Sequence, residues 1–192
     1  MTPSVKKITA SILIALISVL GITYISCNKG SNTATTVTKC VTCLNGGSCY
    51  NDTCHCPAGY EGTGCQTFSR QKFINNWTVT EKGTLTGATN NYTVFIQENP
   101  TSGDITSVFI ENLYDDYFSS VPANAIGDSL YIPSQQINGK SIIGVGYIHA
   151  GINGLNTAIT LRYQVTDLST GSVDDFGYNA SDGSSPSQWL ID

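Results

Sequence analysis

Positive charge is scarce in this chain of 192 residues, which has 9 basic residues against 14 acidic ones; beyond Lys82 only Lys140 and Arg162 are basic. A surface so poor in cations cannot neutralise phosphates or press a polybasic patch against anionic lipid, which argues against nucleic acid and against electrostatic membrane attachment. Charge of either sign is sparse, at 12% of residues, while Thr, Asn, Ser and Gly abound. That balance suits an exported β-rich surface better than a helical cytosolic enzyme. No segment has helical periodicity of useful length. No general acid–base pair, nucleophile constellation or phosphate-cradling loop emerges from the polar residues, so no catalytic residue, cofactor or bound metal is expected.

Cysteine, by contrast, is concentrated. Cys40, Cys43, Cys49, Cys54, Cys56 and Cys65 fall in one short stretch, and Cys27 stands apart behind an apolar run. So short a segment cannot fold by burying apolar surface alone, and six clustered cysteines therefore indicate a covalent framework made outside the cytosol. Spacing alone leaves the pairing open. Gly46 and Gly47 permit the positive φ of a tight reversal that returns Cys49 toward the first cysteines. Gly59 and Gly62 allow a second turn after Pro57. Each bridge is expected to contribute about 2 to 4 kcal/mol. Zinc on Cys40-x-x-Cys43 and Cys54-x-Cys56 is the weaker reading, because export keeps thiols where disulfides persist.

The run Asn45-Gly46-Gly47-Ser48-Cys49, the one-residue spacer between Cys54 and Cys56, and Gly59-Tyr60-Glu61-Gly62 before Cys65 together resemble an EGF-like domain. The resemblance implies the pairs Cys40–Cys49, Cys43–Cys54 and Cys56–Cys65. It departs from the family in a short loop from Tyr50 to Thr53, which implies a stubby hairpin. Val37-Thr38-Lys39 also stands where the calcium-binding subtype has acidic residues, so calcium is not expected.

Lys6 and Lys7 precede an uncharged stretch, Ile8 to Ser26, with the layout of an export signal. A small residue directly before Cys27 resembles the lipobox of bacterial lipoproteins, and Tyr24 in place of the usual Leu is similar to the looser form in the Bacteroidota. Cleavage would leave Cys27 as an acylated N-terminus, with membrane attachment through that lipid and an outer-membrane location facing periplasm or cell surface. With Lys6 and Lys7 removed, the remaining 7 basic and 14 acidic residues give a net charge of −7. Residues from Asn28 to Lys39 are too rich in Ser, Thr and Asn to fold, and as a tether they reach on the order of 40 Å at about 3.4 Å each. The expected organisation is a lipoprotein signal peptide at 1–26, a tether at 27–39, an EGF-like domain at 40–66 and an antiparallel β domain at 67–192.

The last segment alternates apolar and polar residues, most cleanly in Ile159-Thr-Leu161-Arg-Tyr163-Gln-Val165-Thr. Similar runs at Trp77–Lys82, Asn91–Gln97, Ile105–Asn112, Val121–Ile126, Ser129–Pro133 and Ser141–Ala150 are mostly separated by Gly, Asn, Asp or Pro. Many strands with short connections predict an antiparallel meander closed into a barrel or folded into a sandwich. Phe73-Ile-Asn-Asn-Trp77-Thr-Val79 resembles the opening of lipocalin-like domains. If the β domain closes into a barrel, inward residues such as Ile159, Leu161, Tyr163 and Val145 are expected to line a cavity for an apolar ligand. Over its full length the chain resembles Bacteroidota lipoproteins with one EGF-like module and a C-terminal β domain, a likeness that brings no activity.

Gly127-Asp128-Ser129-Leu130 spells the motif of GDSL esterases, but it lies between two strand-like runs, where Gly-Asp makes a hairpin turn, and His149 lacks the Asp that the motif requires. Asp115-Asp116 and Asp174-Asp175 could share a cation only if the strands bring them together. The expected function is a non-enzymatic binding, adhesion or structural module of the cell envelope with a protein or glycan ligand. An apolar-ligand carrier is the alternative, and an esterase stands well behind both.

Overall fold

The computed structural model describes residues 42–116, 120–150 and 157–191. The expected signal peptide and tether, with Cys27 and Cys40, lie outside them. The described residues belong to one compact unit that begins at Lys39.

The disulfide-rich part is built from two tiny ladders. β1 (Ser48–Tyr50) pairs antiparallel with β2 (Thr53–His55), putting Cys49 opposite Cys54. Asn51 and Asp52 close the hairpin with φ of 46° and 60°, as a two-residue turn matching strand twist requires. β3 (Tyr60–Glu61) pairs antiparallel with β4 (Thr67–Phe68). The Tyr60 and Phe68 rings pack 5.4 Å apart on that ladder. Cys43 is bonded to Cys54, and Cys56 to Cys65. Cys49 is also disulfide-bonded, and Cys40, the partner that the family likeness implies, is outside the described residues. Of the two turn glycines, only Gly46 has positive φ; Gly47 is needed for space, since a Cβ there would come within 2.7 Å of the Cys65 sulfur.

A single turn of 3-10 helix, Ser69–Lys72, leads into the second part. Nine strands follow: β5 (Asn75–Glu81), β6 (Asn90–Glu98), β7 (Ser107–Glu111), β8 (Ser120–Ile126), β9 (Ser129–Ile137), β10 (Lys140–Ala150), β11 (Thr157–Asp167), β12 (Val173–Phe176) and β13 (Ser187–Ile191). Each strand from β5 to β11 pairs antiparallel with the next. β13 pairs with residues 158–161 of β11 on one side and with β5 on the other, which closes a ring of eight strands. β12 pairs with residues 164–166 of β11, end to end with β13 along the same edge. The fold is therefore an antiparallel β-barrel rather than a sandwich.

Alternation fixes what points inward. Along β5, Trp77, Val79 and Glu81 are buried while Thr78 and Thr80 are exposed, and Ile159, Leu161, Tyr163 and Val165 take the inner side of β11. An eight-stranded barrel is just wide enough for its own side chains to fill, and Trp77, Trp189, Tyr163, Phe73 and Phe176 do so with a shell of Val, Ile and Leu. Gly144 faces this interior opposite Tyr163, where a Cβ would come within 2.6 Å of the tyrosine Cβ. Val145 consequently points outward and lines no interior.

The disulfide-rich part seats on one end of the barrel. The Ser69 hydroxyl, fully buried, donates to the Ala125 carbonyl at 3.2 Å, and the Ser69 N–H bonds the Gly59 carbonyl at 2.9 Å. Lys72 bridges Glu61 of β3 and Asp128 of the β8–β9 turn, at 2.6 Å each. The cluster fixes which end of the barrel is left free.

Candidate functional site

The free end carries the polar groups that the rest of the interior lacks. Glu81, the last residue of β5, keeps the inward parity of Trp77 and Val79 and is only 5% exposed. Its carboxylate accepts three hydroxyl protons: Tyr92 at 2.7 Å and Tyr163 at 2.8 Å on Oε1, and Ser187 at 2.6 Å on Oε2. The hydroxyls are aimed by groups that can only donate. Trp189 Nε1 bonds the Ser187 oxygen at 2.8 Å and the Tyr114 N–H bonds the Tyr92 oxygen at 3.1 Å, which leaves each hydroxyl proton for Glu81. Burial is the largest influence on Glu81 and holds its carboxyl above the ordinary value, against the pull of these hydroxyls and with a further push from Asp174. Burial likewise raises Tyr163, and raises Tyr92 with the Glu81 charge beside it.

Asp174 on β12 is the second buried acid. Its Oδ1 accepts the Leu85 N–H at 2.7 Å and its Oδ2 the Tyr114 hydroxyl at 3.1 Å. Burial and the Asp174 charge push the Tyr114 hydroxyl up to about 12. Gly83 is required here, because any side chain would overlap the Asp174 carboxylate. Tyr114 itself has φ of 65°, with Asn112 at 63° and Asp115 at 54° on either side, a conformation costly for a bulky residue and maintained by the surrounding bonds. Its ring meets Phe176 edge-on at 5.9 Å, and Phe176 stacks flat on Tyr163 at 4.4 Å.

Between these groups opens a cavity of about 260 Å³ lined by Glu81, Thr86, Asn90, Tyr114, Asp115 and Phe176. On the other side of Tyr114 a hollow of about 180 Å³ is lined in part by Lys140, Asp167 and Asp174. Neither reaches into the packed centre of the barrel, where Ile159, Leu161 and Tyr163 are fully buried. The first is below the roughly 300–1,000 Å³ typical of sites for drug-sized ligands, so it suits one small head group.

The paired acids singled out in the sequence are drawn apart. Asp175 turns its carboxylate to the Tyr178 and Asn179 N–H groups and the Ser184 hydroxyl, holding the loop after β12. Asp116 pairs with Lys140 at 3.4 Å. Among the described residues no group of three or more His, Cys, Asp or Glu could hold a metal ion. Ser129 opens β9 after the turn at Gly127, while both His149 nitrogens are engaged away from it, Nδ1 with the Ala150 carbonyl and Nε2 with the Thr160 hydroxyl. His55 is exposed on β2 beside Tyr50.

Sequence reasoning missed the Glu81 cluster. The available signal was a glutamate on the apolar parity of its strand.

No protein-family model, curated protein or solved structure matches this chain.

Proposed function

We propose that this chain is an exported cell-envelope lipoprotein, held to the outer membrane by a lipid on Cys27, and that it works as a non-enzymatic binding module recognising its ligand at the free mouth of the barrel. One observation carries the reading. The cavity around Glu81 and Tyr114 lies at the end of the barrel opposite the disulfide-rich part, with a solid core between them. In a module anchored through its N-terminal side, the cysteine-rich part lies next to the tether and the mouth is the end left open to a partner. The EGF-like part then serves as a docked spacer, and the partner is a protein or glycan of the envelope rather than nucleic acid, which a net charge of −7 repels.

A lipocalin-like carrier is the second reading, favoured by the eight-stranded barrel. The filled interior disfavours an apolar ligand and moves any carried molecule to the polar mouth. Esterase activity is not part of the proposal, since His149 has no bond to Ser129 to activate it.

The test is capture of envelope material by the mature protein and by Asn90→Trp, which fills the mouth from an exposed position. Capture lost in the variant supports a mouth-binding module; equal capture by both proteins overturns it. Globomycin treatment with protease shaving of intact cells tests the anchor, and a mature terminus free of lipid refutes it.

A further inference from the structure

Within that reading, we infer that the mouth cavity receives a single organic cation, an ammonium or guanidinium head group, seated between Glu81, Asp115 and the rings of Tyr114 and Phe176. The argument is one of charge, wall and size. Two acids and no base line the cavity. Of the lysines at this end, Lys140 is paired with Asp116 and lines the hollow beyond Tyr114, and Lys82, the residue after Glu81, lines a separate hollow with Gly83, Thr84 and Gly87. A neutral ligand that displaced water from this cavity would leave the buried Glu81 charge with hydroxyl partners alone, whereas a cation compensates it. Tyr114 and Phe176 supply aromatic surface, which attracts cations and tolerates the alkyl stem behind them. The Asn90 amide and Thr86 hydroxyl give polar partners for the remaining N–H groups. At about 260 Å³ the space admits one head group, whether free or presented by a larger partner that stays outside the mouth. The cation can belong to a free amine or to an Arg or Lys side chain of a partner protein, and the test separates these.

The mature full-length protein is titrated at neutral pH and low salt with agmatine, with a short blocked peptide carrying one arginine, and with butylurea as a neutral probe of similar shape. Saturable binding of agmatine or of the peptide, with butylurea silent, is the expected result; agmatine binding points to a free amine and peptide-only binding to a protein side chain. Asp115→Asn, at an exposed position with no folding risk, weakens the cation by about tenfold, and Glu81→Gln by more, in keeping with its burial. Silence of both cations up to about 10 mM, equal binding of butylurea, or unchanged affinity in Asp115→Asn and Glu81→Gln overturns the inference. Silence of the cations alongside envelope capture that Asn90→Trp abolishes removes the cation assignment alone. Capture that Asn90→Trp does not affect removes the mouth-binding reading itself.

Discussion

Tyr163 donates its hydroxyl to Oε1 of Glu81 across 2.8 Å, joining the middle of β11 to the end of β5 inside the barrel. The two residues are 82 positions apart in sequence, and each is placed by its own strand's alternation. The contact makes the polar mouth continuous with the apolar core, because the same tyrosine ring stacks on Phe176.

Removing that hydroxyl tests how strongly the mouth is held. Tyr163→Phe keeps the stacked ring and deletes one of the three donors to a buried carboxylate, a loss of about 1.5 to 3 kcal/mol when the acceptor is charged. Urea unfolding of the variant is expected to show that loss in its midpoint with an unchanged slope. A change well below about 1 kcal/mol would mean that Glu81 is neutral in the native state.

The pH dependence of stability follows from the direction of the Glu81 shift. Burial raises its carboxyl above 4.5, with Asp174 adding to the rise and the Ser187, Tyr92 and Tyr163 hydroxyls opposing it. The native state thus binds this proton more tightly than the unfolded chain does. Its contribution is full below 4.5 and is lost as pH rises through the folded value. Asp104 and Asp167, lowered chiefly by the Thr106 N–H and the Ser169 hydroxyl, act in the opposite sense, losing stability as pH falls below their ordinary 3.8. They are common to wild type and Glu81→Gln, so the difference between the two proteins isolates Glu81. Urea midpoints measured from acid to neutral pH are expected to show wild type losing ground to the variant as pH rises; a flat difference excludes a raised Glu81.

The strands were legible where alternation is strict: the run Ile159 to Thr166 is the centre of β11, and Val121–Ile126 lies within β8. Closure was not legible. It depends on β13, where Ser187 and the exposed Leu190 blur the alternation around Trp189, and on pairing between strands far apart in sequence. The turn residues told more about reversal than about crowding. Gly47 and Gly144 are required by what packs against them, the Cys65 sulfur and Tyr163, which no local pattern reveals. The mouth was hidden for the same reason: Glu81, Tyr92 and Tyr163 come together only when three strands meet.

The seat between the two parts of the structure is steric before it is ionic. Gly59 has φ of +88°, and a Cβ there would come within 2.8 Å of Ile105 Cδ1 and 2.9 Å of Thr106 Cγ2. Gly59→Ala therefore combines backbone strain with overpacking, at about 1 to 3 kcal/mol. Lys72→Met removes two partly exposed ion pairs worth about 0.2 to 1 kcal/mol each and keeps the alkyl stem. Thermal unfolding is expected to rank Gly59→Ala as the more damaging change. The reverse order would make the Lys72 bridge the principal tie.

Reduction of the disulfides separates the two parts by a different route. The buried apolar cluster runs from Phe73 to Trp189 and takes nothing from residues 42–68, so the barrel's stability does not rest on the sulfur bridges. The small part has the opposite balance. Its ladders are two or three residues long, its one fully buried apolar side chain is Cys65, and Leu44 and Tyr50 are exposed. Bridges worth about 2 to 4 kcal/mol each must therefore hold it. Reductant is expected to open the stretch between Cys43 and Cys65 to protease while the near-ultraviolet signal of Trp77 and Trp189, both fully buried in the barrel, stays as in the oxidised protein. Loss of the tryptophan signal at the same reductant concentration would show that the docked cap, through Ser69 on Ala125 and Gly59 against Ile105, is required for barrel closure.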